Sequence, residues 1–278
     1  MAAQTQREYW SGKVGGEWAT HAERIDVMLG PVTETLLSAA ALQPGDRAVD
    51  IGCGAGATSL EIARRVAPNG AVTGVDLSPQ LLAVARERAR DANLNADFVE
   101  ADAGAVTFPH PLDVAFSRFG VMFFDAPTQA FAHIRSTLRS GGRIAFACWR
   151  PMADNPWATI PILAIEAMLK EPLPRPDPDA PGPYAFADPN KVERILREAG
   201  WSDIALARWD GDISIGGGGA LEDIANFVLR IGPCARAIAD QNLSMAEAQQ
   251  RLIDRLAPLY KDDALMIPAA CWIVTARA

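Results

Sequence analysis

A short glycine-rich segment constrains the fold of this chain more than any other part of its sequence. Residues 49–58 read VDIGCGAGAT, an apolar stretch typical of a buried strand, followed by a glycine turn and the start of a helix. Glycine allows a tight turn and the close approach of a ligand, and the following helix offers unpaired backbone N–H groups. The segment therefore predicts a strand, a loop and a helix, with an anionic or electron-rich group bound at the loop.

Acidic residues stand where the next two strands are predicted to end. Asp76 lies 20 residues after Gly56, where an acid can accept both hydroxyls of an adenosine ribose. Asp102 follows a third predicted strand, and it could take the adenine amino group while the backbone N–H groups of Asp102 and Ala103 meet a ring nitrogen. Parallel strands end at one edge of a sheet, so these residues together predict a nucleoside-containing cofactor.

Apolar runs alternate with helical patterns between residues 47 and 149, which predicts an α/β fold with a parallel sheet flanked by helices. Ser78-Pro79 predicts the start of one helix, Asp125 is expected to cap another, and Gly141-Gly142 is expected to end that second helix. The last two strands are almost continuously apolar and are expected in the middle of the sheet. The strands predicted in this region are 47–51, 71–77, 97–100, 112–117 and 143–149.

Composition divides the chain into four predicted segments. Nine of its 20 prolines fall between Pro151 and Pro183, around an apolar segment at 157–169, which predicts an insertion with a helix above the strand ends. The segments are an N-terminal helical cap at 1–42, a cofactor-binding core at 43–150, a proline-rich insertion or lid at 151–187, and a C-terminal completion of the sheet with helical substrate-lid elements at 188–278.

Charge, hydropathy and cysteine spacing exclude several classes of function. The net charge is −8 and no basic run is present, which disfavours a nucleic-acid partner. No apolar stretch reaches the roughly 18 residues of a membrane helix, so membrane insertion is not expected. Four widely spaced cysteines form neither a disulfide framework nor a zinc site. The sequence predicts a cytoplasmic protein without a metal.

Two classes of cofactor fit the glycine pattern. Gly52, Gly54 and Ala57 satisfy G-x-G-x-x-G/A, the pattern of nicotinamide-dependent oxidoreductases. Asp50, two residues before the first glycine, and the third glycine, Gly56, depart from that pattern. The Tyr-x-x-x-Lys pair of many hydride-transfer enzymes is also missing. An NAD(P)-dependent oxidoreductase nevertheless remains an alternative at this point.

The chain resembles the class I S-adenosylmethionine (SAM)-dependent methyltransferases, and among them the branch of the ubiquinone/menaquinone-biosynthesis C-methyltransferases. The resemblance covers residues 43–150 and lies in the segments AVDIGCGAG, VTGVDLSPQLLAVARERA, EADA, DVAFSRFGVMFF and LRSGGRIAFACW. It implies a Rossmann-like, doubly wound, seven-stranded sheet, mostly parallel, with an antiparallel last strand. Residues 201–215 and 269–278 are expected to complete that sheet beside the helical insertion.

The resemblance also implies which residues hold the cofactor. The glycines approach the methionine portion and ribose, Asp50 holds the loop, and Asp76 takes the ribose hydroxyls. Tyr9 and Trp18 are expected near the cofactor, in an N-terminal segment that covers it. The full set of predicted cofactor-binding residues is Trp10, Asp50, Gly52, Gly54, Gly56, Thr58, Asp76, Leu77, Asp102, Ala103, Ser117 and Arg118.

Transfer of the SAM methyl group to a small, largely apolar acceptor follows as the expected function, with an aromatic or quinone/polyketide-like molecule as the acceptor. His21 is the candidate general base if the reaction needs one. A SAM-binding protein without catalysis is a further alternative, and the sequence leaves the oligomeric state open, a homodimer included. The predicted substrate pocket comprises Trp18, Phe119, Met122, Trp149 and Trp157, with Met152 and Phe186 as further lining.

Overall fold

Seven strands form one sheet in the computed structural model, which describes residues 5–173, 177, 179–232 and 234–278. The strand order is β3-β2-β1-β4-β5-β7-β6, and β7 is antiparallel to both of its neighbours. This confirms the predicted Rossmann-like sheet. The strands are β1 (Arg47–Ile51), β2 (Ala71–Asp76), β3 (Asp97–Glu100), β4 (Leu112–Arg118), β5 (Leu138–Trp149), β6 (Ser202–Ser214) and β7 (Met266–Arg277).

Helices connect and cover these strands. The first three precede the sheet, and the last three lie between β6 and β7 along the chain. None of the helices in the described ranges has both the length and the apolar character needed to span a bilayer. The helices are α1 (Gln6–Ser11), α2 (Lys13–Thr20), α3 (Ala22–Ala39), α4 (Ala57–Val66), α5 (Pro79–Asp91), α6 (Pro127–Thr137), α7 (Pro156–Ile165), α8 (Pro189–Glu198), α9 (Leu221–Ile231), α10 (Cys234–Asp240) and α11 (Met245–Leu256).

The centre of the sheet is buried on both faces. Strand β4 lies between β1 and β5, and Phe116 on β4 and Phe146 on β5 are fully buried. Phe131 on α6 packs against Phe146 with 5.5 Å between the ring centroids. Burial of each such side chain contributes about 2–3 kcal/mol. The core therefore fixes the strand ends at which the candidate site lies.

The structure corrects two local expectations about α6. Asp125 does not cap this helix, because Ala126 occupies the cap position and Pro127 begins the helix. The pair Gly141-Gly142 does not end α6, since β5 already begins at Leu138 and contains both glycines. Between Leu112 and Val114 of β4 the pairing with β5 shifts register, and the left-handed backbone of Gly141, with φ 72°, suits that irregularity.

The proline-rich insertion contains α7 and a short 3₁₀ turn, Glu166–Met168, where a helix was expected over 157–169. Residues 174–176 and 178 of the insertion, and Pro233, lie outside the described residues. Helix α10 was not predicted. It follows α9 closely, and both helices contribute side chains to the candidate site described below.

Candidate functional site

A cavity of about 1370 Å³ lies at the carboxyl ends of the central strands, beneath α1, α2, α9 and α10. One part, here called the loop end, is lined by Gly52–Gly54, Asp76 and Asp102. Another part, the apolar end, is lined by Phe119, Met122, Trp149 and Trp157. Pockets for a single small molecule usually measure about 300–1,000 Å³. The cavity therefore has room for two small molecules side by side.

The glycine loop has a backbone that side chains would disturb. Gly52, Gly54 and Gly56 have φ values of 65°, 54° and 81°, in the left-handed region that favours glycine. A Cβ at Gly52 would lie 2.8 Å from the Cα of Gly120, whereas one at Gly54 would meet nothing within 4 Å. Glycine at 52 thus permits close packing on the β4 side, and glycine at 54 leaves open space.

Asp50 holds the loop from below. Its carboxylate is fully buried, and Oδ2 accepts hydrogen bonds of 2.7 Å from the Thr58 and Ser59 hydroxyls in the first turn of α4. Oδ1 has no hydrogen-bond partner among the residues that the structure describes. Burial raises the pKa of Asp50 to about 6, against the lowering effect of the two hydroxyls. A carboxyl at β1 therefore ties the loop to the helix that follows it.

The buried Asp50 carboxyl predicts a specific pH dependence of folding stability. Between pH 4 and 6 the unfolded carboxyl ionises while the folded one keeps its proton, so this group's contribution to stability falls as the pH rises. The difference between about 6 and the ordinary 3.8 corresponds to about 3 kcal/mol. Because the unfolded carboxyl is already more than half ionised at pH 4, the free energy of unfolding of Asp50→Asn, relative to wild type, should rise by about 2 kcal/mol from pH 4 to pH 7.

Urea unfolding at pH 4, 5, 6 and 7 measures this difference. Asp97→Asn is the matched control, because Asp97 is exposed at the start of β3. The difference in free energy of unfolding between this variant and wild type should stay nearly constant from pH 4 to pH 7. A constant difference for Asp50→Asn as well would show that Asp50 is already ionised in the folded protein at acidic pH.

Asp76 at the end of β2 binds the loop from the side. Its Oδ2 accepts the N–H of Gly54 at 2.8 Å, and its Oδ1 accepts the N–H of Ser78 at 2.8 Å. Burial raises the pKa of Asp76 despite the opposing effect of these hydrogen bonds. Ser78 caps α5 as predicted, accepting from the N–H of Leu81. Each Asp76 oxygen keeps capacity to accept a further hydrogen bond from a ligand.

Asp102 and its neighbours line the cavity beyond β3. Asp102 is exposed, and its Oδ1 accepts the N–H of Gly104 at 2.8 Å, whereas its Oδ2 accepts no hydrogen bond from the described part of the chain. Ala103 and Leu77 also line the cavity. The sequence predicted that three strand ends would contact one nucleoside. In the structure, these strand ends lie along one side of the cavity.

Ser117 and Arg118 lie at the end of β4 in different surroundings. The Ser117 hydroxyl is fully buried, donates to the carbonyl of Ile51 at 2.8 Å and accepts from the N–H of Gly120. It is not among the cavity-lining residues of the described chain, so it supports the loop from beneath. Gly56 likewise lies outside the lining, packed on Ala85. Arg118 does line the cavity.

Arg118 belongs to an ionic cluster behind the glycine loop. Asp26 on α3 accepts from Arg118 and from Arg88 on α5, with N–O distances of 2.8 Å for each pair. Arg88 also donates to the carbonyl of Ala55 in the loop, at 3.2 Å. The three charged side chains are between 12% and 23% exposed. One carboxylate therefore connects α3, α5, β4 and the loop.

Aromatic side chains of α1 and α2 cover the cavity. The Trp10 ring meets Trp18 and Phe123 edge to face, with centroid distances of 5.5 and 5.2 Å, and Tyr9 packs on Trp10. All four residues line the cavity. Contacts of this kind are worth about 0.5–1.5 kcal/mol beyond the area they bury, so this cover packs directly on the segment after β4.

At the apolar end, Phe119 stacks on Trp149 with centroids 4.1 Å apart and an angle of 8° between the rings. Trp157 lies 4.9 Å from Trp149, and its Nε1 donates to Asn155. Met122 is almost fully buried, and Met152 also lines the cavity. Phe186 is 2% exposed and packs in the core rather than on the cavity.

His21 is placed away from the cavity lining. It joins α2 to α3, packs edge-on against Phe227, and has its Nε2 3.8 Å from Glu17. Burial lowers the pKa of His21, against the raising effect of Glu17. His21 is not among the lining residues described, so the geometry gives no support to its predicted role as a base.

Several lining residues were not predicted from the sequence. Phe227 and Arg230 on α9 and Ile238 on α10 contribute to the cavity, and Glu17 on α2 pairs with Arg230 at 3.6 Å. The sequence did predict helical lid elements within 188–278. It gave no sign of which helix faces would line the cavity, because the lining residues are far apart in the sequence.

Comparison with known proteins identifies a methyltransferase domain in this chain. Residues 48–142 match the family model of a methyltransferase domain. An uncharacterized protein of Mycobacterium tuberculosis (strain ATCC 25618 / H37Rv) is 34% identical over 150 residues, which is 54% of this chain and 52% of that protein. A ubiquinone/menaquinone biosynthesis C-methyltransferase of Ralstonia pickettii (strain 12J) is 28% identical over 162 residues, 54% of this chain and 67% of that protein.

Among solved structures, phosphoethanolamine N-methyltransferase 2 of Haemonchus contortus, in complex with S-adenosyl-L-methionine, superposes with a TM-score of 0.59 at 16% identity. The match covers 100% of this chain and 60% of that one, and it shows the shared fold. The chain spans about half the length of the mycobacterial protein it matches.

Proposed function

Because this chain belongs to the class I SAM-dependent methyltransferases through its domain at residues 48–142, we propose that it binds SAM and transfers the methyl group to a small, largely apolar acceptor. The observation that supports this most directly is the cavity itself. It combines a glycine loop and two strand-end acids with an adjoining apolar end, which is what a nucleoside cofactor and an apolar partner would need.

The residues of the loop end suit SAM. Open space beside Gly54 accommodates the methionine portion, and the free acceptor capacity of Asp76 suits the ribose hydroxyls. Asp102 and the backbone of Ala103 would face the adenine, with Leu77 against the ring. Trp10 and Arg118 complete the set. Thr58 and Ser117 act through the loop, since their hydroxyls bond to Asp50 and Ile51.

Bound SAM supplies an already activated methyl group on its sulfonium, so the protein's part is to position the acceptor in line with it. The aromatic side chains of the apolar end would orient the acceptor, and the cover of α1 and α2 would exclude water. Alignment and desolvation together lower a barrier by several kcal/mol. This mechanism requires no base at His21, whose ring lies outside the lining.

The lining of the apolar end supports an aromatic or quinone/polyketide-like acceptor. Three of its side chains form a continuous aromatic group, in which Trp149 contacts both Phe119 and Trp157. Pockets of this kind select ligands mainly by shape and apolar area, with few polar contacts. The relative named for ubiquinone/menaquinone biosynthesis is consistent with an acceptor of the quinone type.

Calorimetric titration with SAM, S-adenosylhomocysteine and NAD tests the proposal. We expect SAM and S-adenosylhomocysteine to bind with micromolar affinity and NAD to give no heat of binding. Incubation with SAM and a panel of phenols and hydroquinones, whose nucleophilic carbon or oxygen can take the methyl group and release a proton, then tests turnover by mass spectrometry of S-adenosylhomocysteine. Binding of NAD alone would refute the proposal, and SAM binding without turnover of any acceptor would favour the non-catalytic alternative.

A further inference from the structure

Phe119, the residue directly after β4, has an unusual backbone. Its φ is 64°, in the left-handed region that a bulky side chain rarely adopts. Its N–H donates to the carbonyl of Ala147 on β5 at 3.1 Å, which fixes this turn to the neighbouring strand. A strained conformation of this kind persists only where the surrounding structure holds it, and such residues cluster at functional sites.

The Phe119 side chain has one covered and one accessible side. Its ring is stacked on Trp149 at 4.1 Å, and Trp149 is itself only 6% exposed. Phe119 nevertheless remains partly exposed and lines the cavity. Trp149 therefore serves as a rigid support behind the ring, and the accessible surface of Phe119 faces cavity space.

Phe119 also lies where the two ends of the cavity meet. The next residue, Gly120, touches the glycine loop so closely that a Cβ at Gly120 would lie 2.6 Å from the carbonyl oxygen of Ile51. On its other side Phe119 contacts Trp149, which leads to Trp157 and the apolar end. A ring at this position borders both the proposed cofactor and the proposed acceptor.

We propose that Phe119 determines acceptor specificity, by stacking against a flat, conjugated ring of the acceptor beside the glycine loop. The inference rests on the proposed function, because it takes the apolar end as the acceptor compartment. Glycine would adopt this backbone without strain, so an aromatic residue here is explained by what its ring contacts. Aromatic stacking beyond simple area burial would favour a flat ligand about 2- to 12-fold over a saturated one.

The first test compares 2-naphthol with decahydro-2-naphthol, which has the same carbon skeleton and hydroxyl group but is not flat. Calorimetric titration into protein saturated with S-adenosylhomocysteine should show 2-naphthol binding about tenfold more tightly. In Phe119→Leu this preference should fall at least threefold, while the affinity for S-adenosylhomocysteine stays within about twofold of wild type. Phe108→Leu, at a half-buried phenylalanine outside the lining, should keep the wild-type preference.

A second measurement tests the strained backbone. Phe119→Gly and Phe119→Ala remove the same ring, but only glycine relieves the left-handed conformation. We expect the glycine variant to melt roughly 2–4 °C above the alanine variant, with the preference for 2-naphthol lost in both. A purely structural role for Phe119 would change the melting temperature and leave the preference intact.

Equal binding of the two naphthols to wild type, binding of neither, or an unchanged preference in the Phe119 variants would each overturn the inference. Failure of the proposed function has a different signature, because S-adenosylhomocysteine would then not bind wild type. The naphthol titrations can also be made in the absence of S-adenosylhomocysteine. A failure of the inference about Phe119 can therefore be distinguished from a failure of the proposed function.

Discussion

Replacement of Asp76 by alanine is expected to weaken SAM binding about 100-fold. In the structure its two carboxylate oxygens accept from the N–H groups of Gly54 and Ser78, so the side chain both shapes the loop and offers its remaining lone pairs to ligand hydroxyls. A hydrogen bond to a charged group contributes about 1.5–3 kcal/mol, and loss of two such bonds exceeds the 2.7 kcal/mol or so that corresponds to 100-fold. Calorimetric titration with SAM measures the change.

Asp76→Asn is a more conservative substitution at the same position. An asparagine keeps one acceptor oxygen, so its affinity for SAM should fall about tenfold rather than 100-fold. Asp97→Ala, at the opposite end of the neighbouring strand β3, should bind SAM as wild type does. If Asp76→Ala retained SAM affinity within a factor of three and kept its fold, the assignment of Asp76 to the ribose would be wrong.

Replacement of Asp26 by alanine should cost about 2–3 kcal/mol in the free energy of unfolding. The change leaves the largely buried guanidinium groups of Arg88 and Arg118, 22% and 12% exposed, without their common counter-charge. Removal of one partner from a fully buried ion pair typically costs about 3–5 kcal/mol, and partial solvation reduces that figure. Urea unfolding at neutral pH measures the loss.

The same variant should also weaken SAM binding several-fold, since Arg88 connects Asp26 to the carbonyl of Ala55 in the glycine loop. Glu61→Ala also removes one carboxylate shared by two arginines, Arg64 and Arg65, but at a more exposed position, and it should cost at most about 1 kcal/mol. Equal stability of the Asp26 and Glu61 variants would show that the cluster behind the loop contributes no more than a surface pair.

The ionic cluster illustrates how the fold supports the site from segments far apart in sequence. Asp26 precedes the first strand, Arg88 follows the second and Arg118 is the last residue of the fourth. The glycine loop is therefore held by Asp50 below, Asp76 at its side and Arg88 behind. A loop held at several points is preorganised for its ligand, which lowers the entropic cost of binding.

The sequence alone determined the fold class and the loop end of the cavity. Local chemistry accounts for this success: consecutive apolar residues form central strands, the three glycines permit the left-handed turns observed at 52, 54 and 56, and Ser78 caps the helix it precedes. Asp76 and Asp102 could be placed because residues that end parallel strands meet at one edge of a sheet. These inferences depend on residues close together in the chain, or on the general rule that parallel strands end at one edge of a sheet.

The tertiary structure decided what local patterns cannot encode. It directed the Ser117 hydroxyl beneath the loop, placed His21 on Phe227 outside the cavity lining, and brought residues of α9 and α10 into that lining. It also gave Phe119 a left-handed backbone and a stacked partner 30 residues further along the chain. Such contacts depend on how helices and strands pack across the whole core. The spacing of apolar residues predicts which face of a helix is apolar. It does not predict which other helix or strand packs against that face.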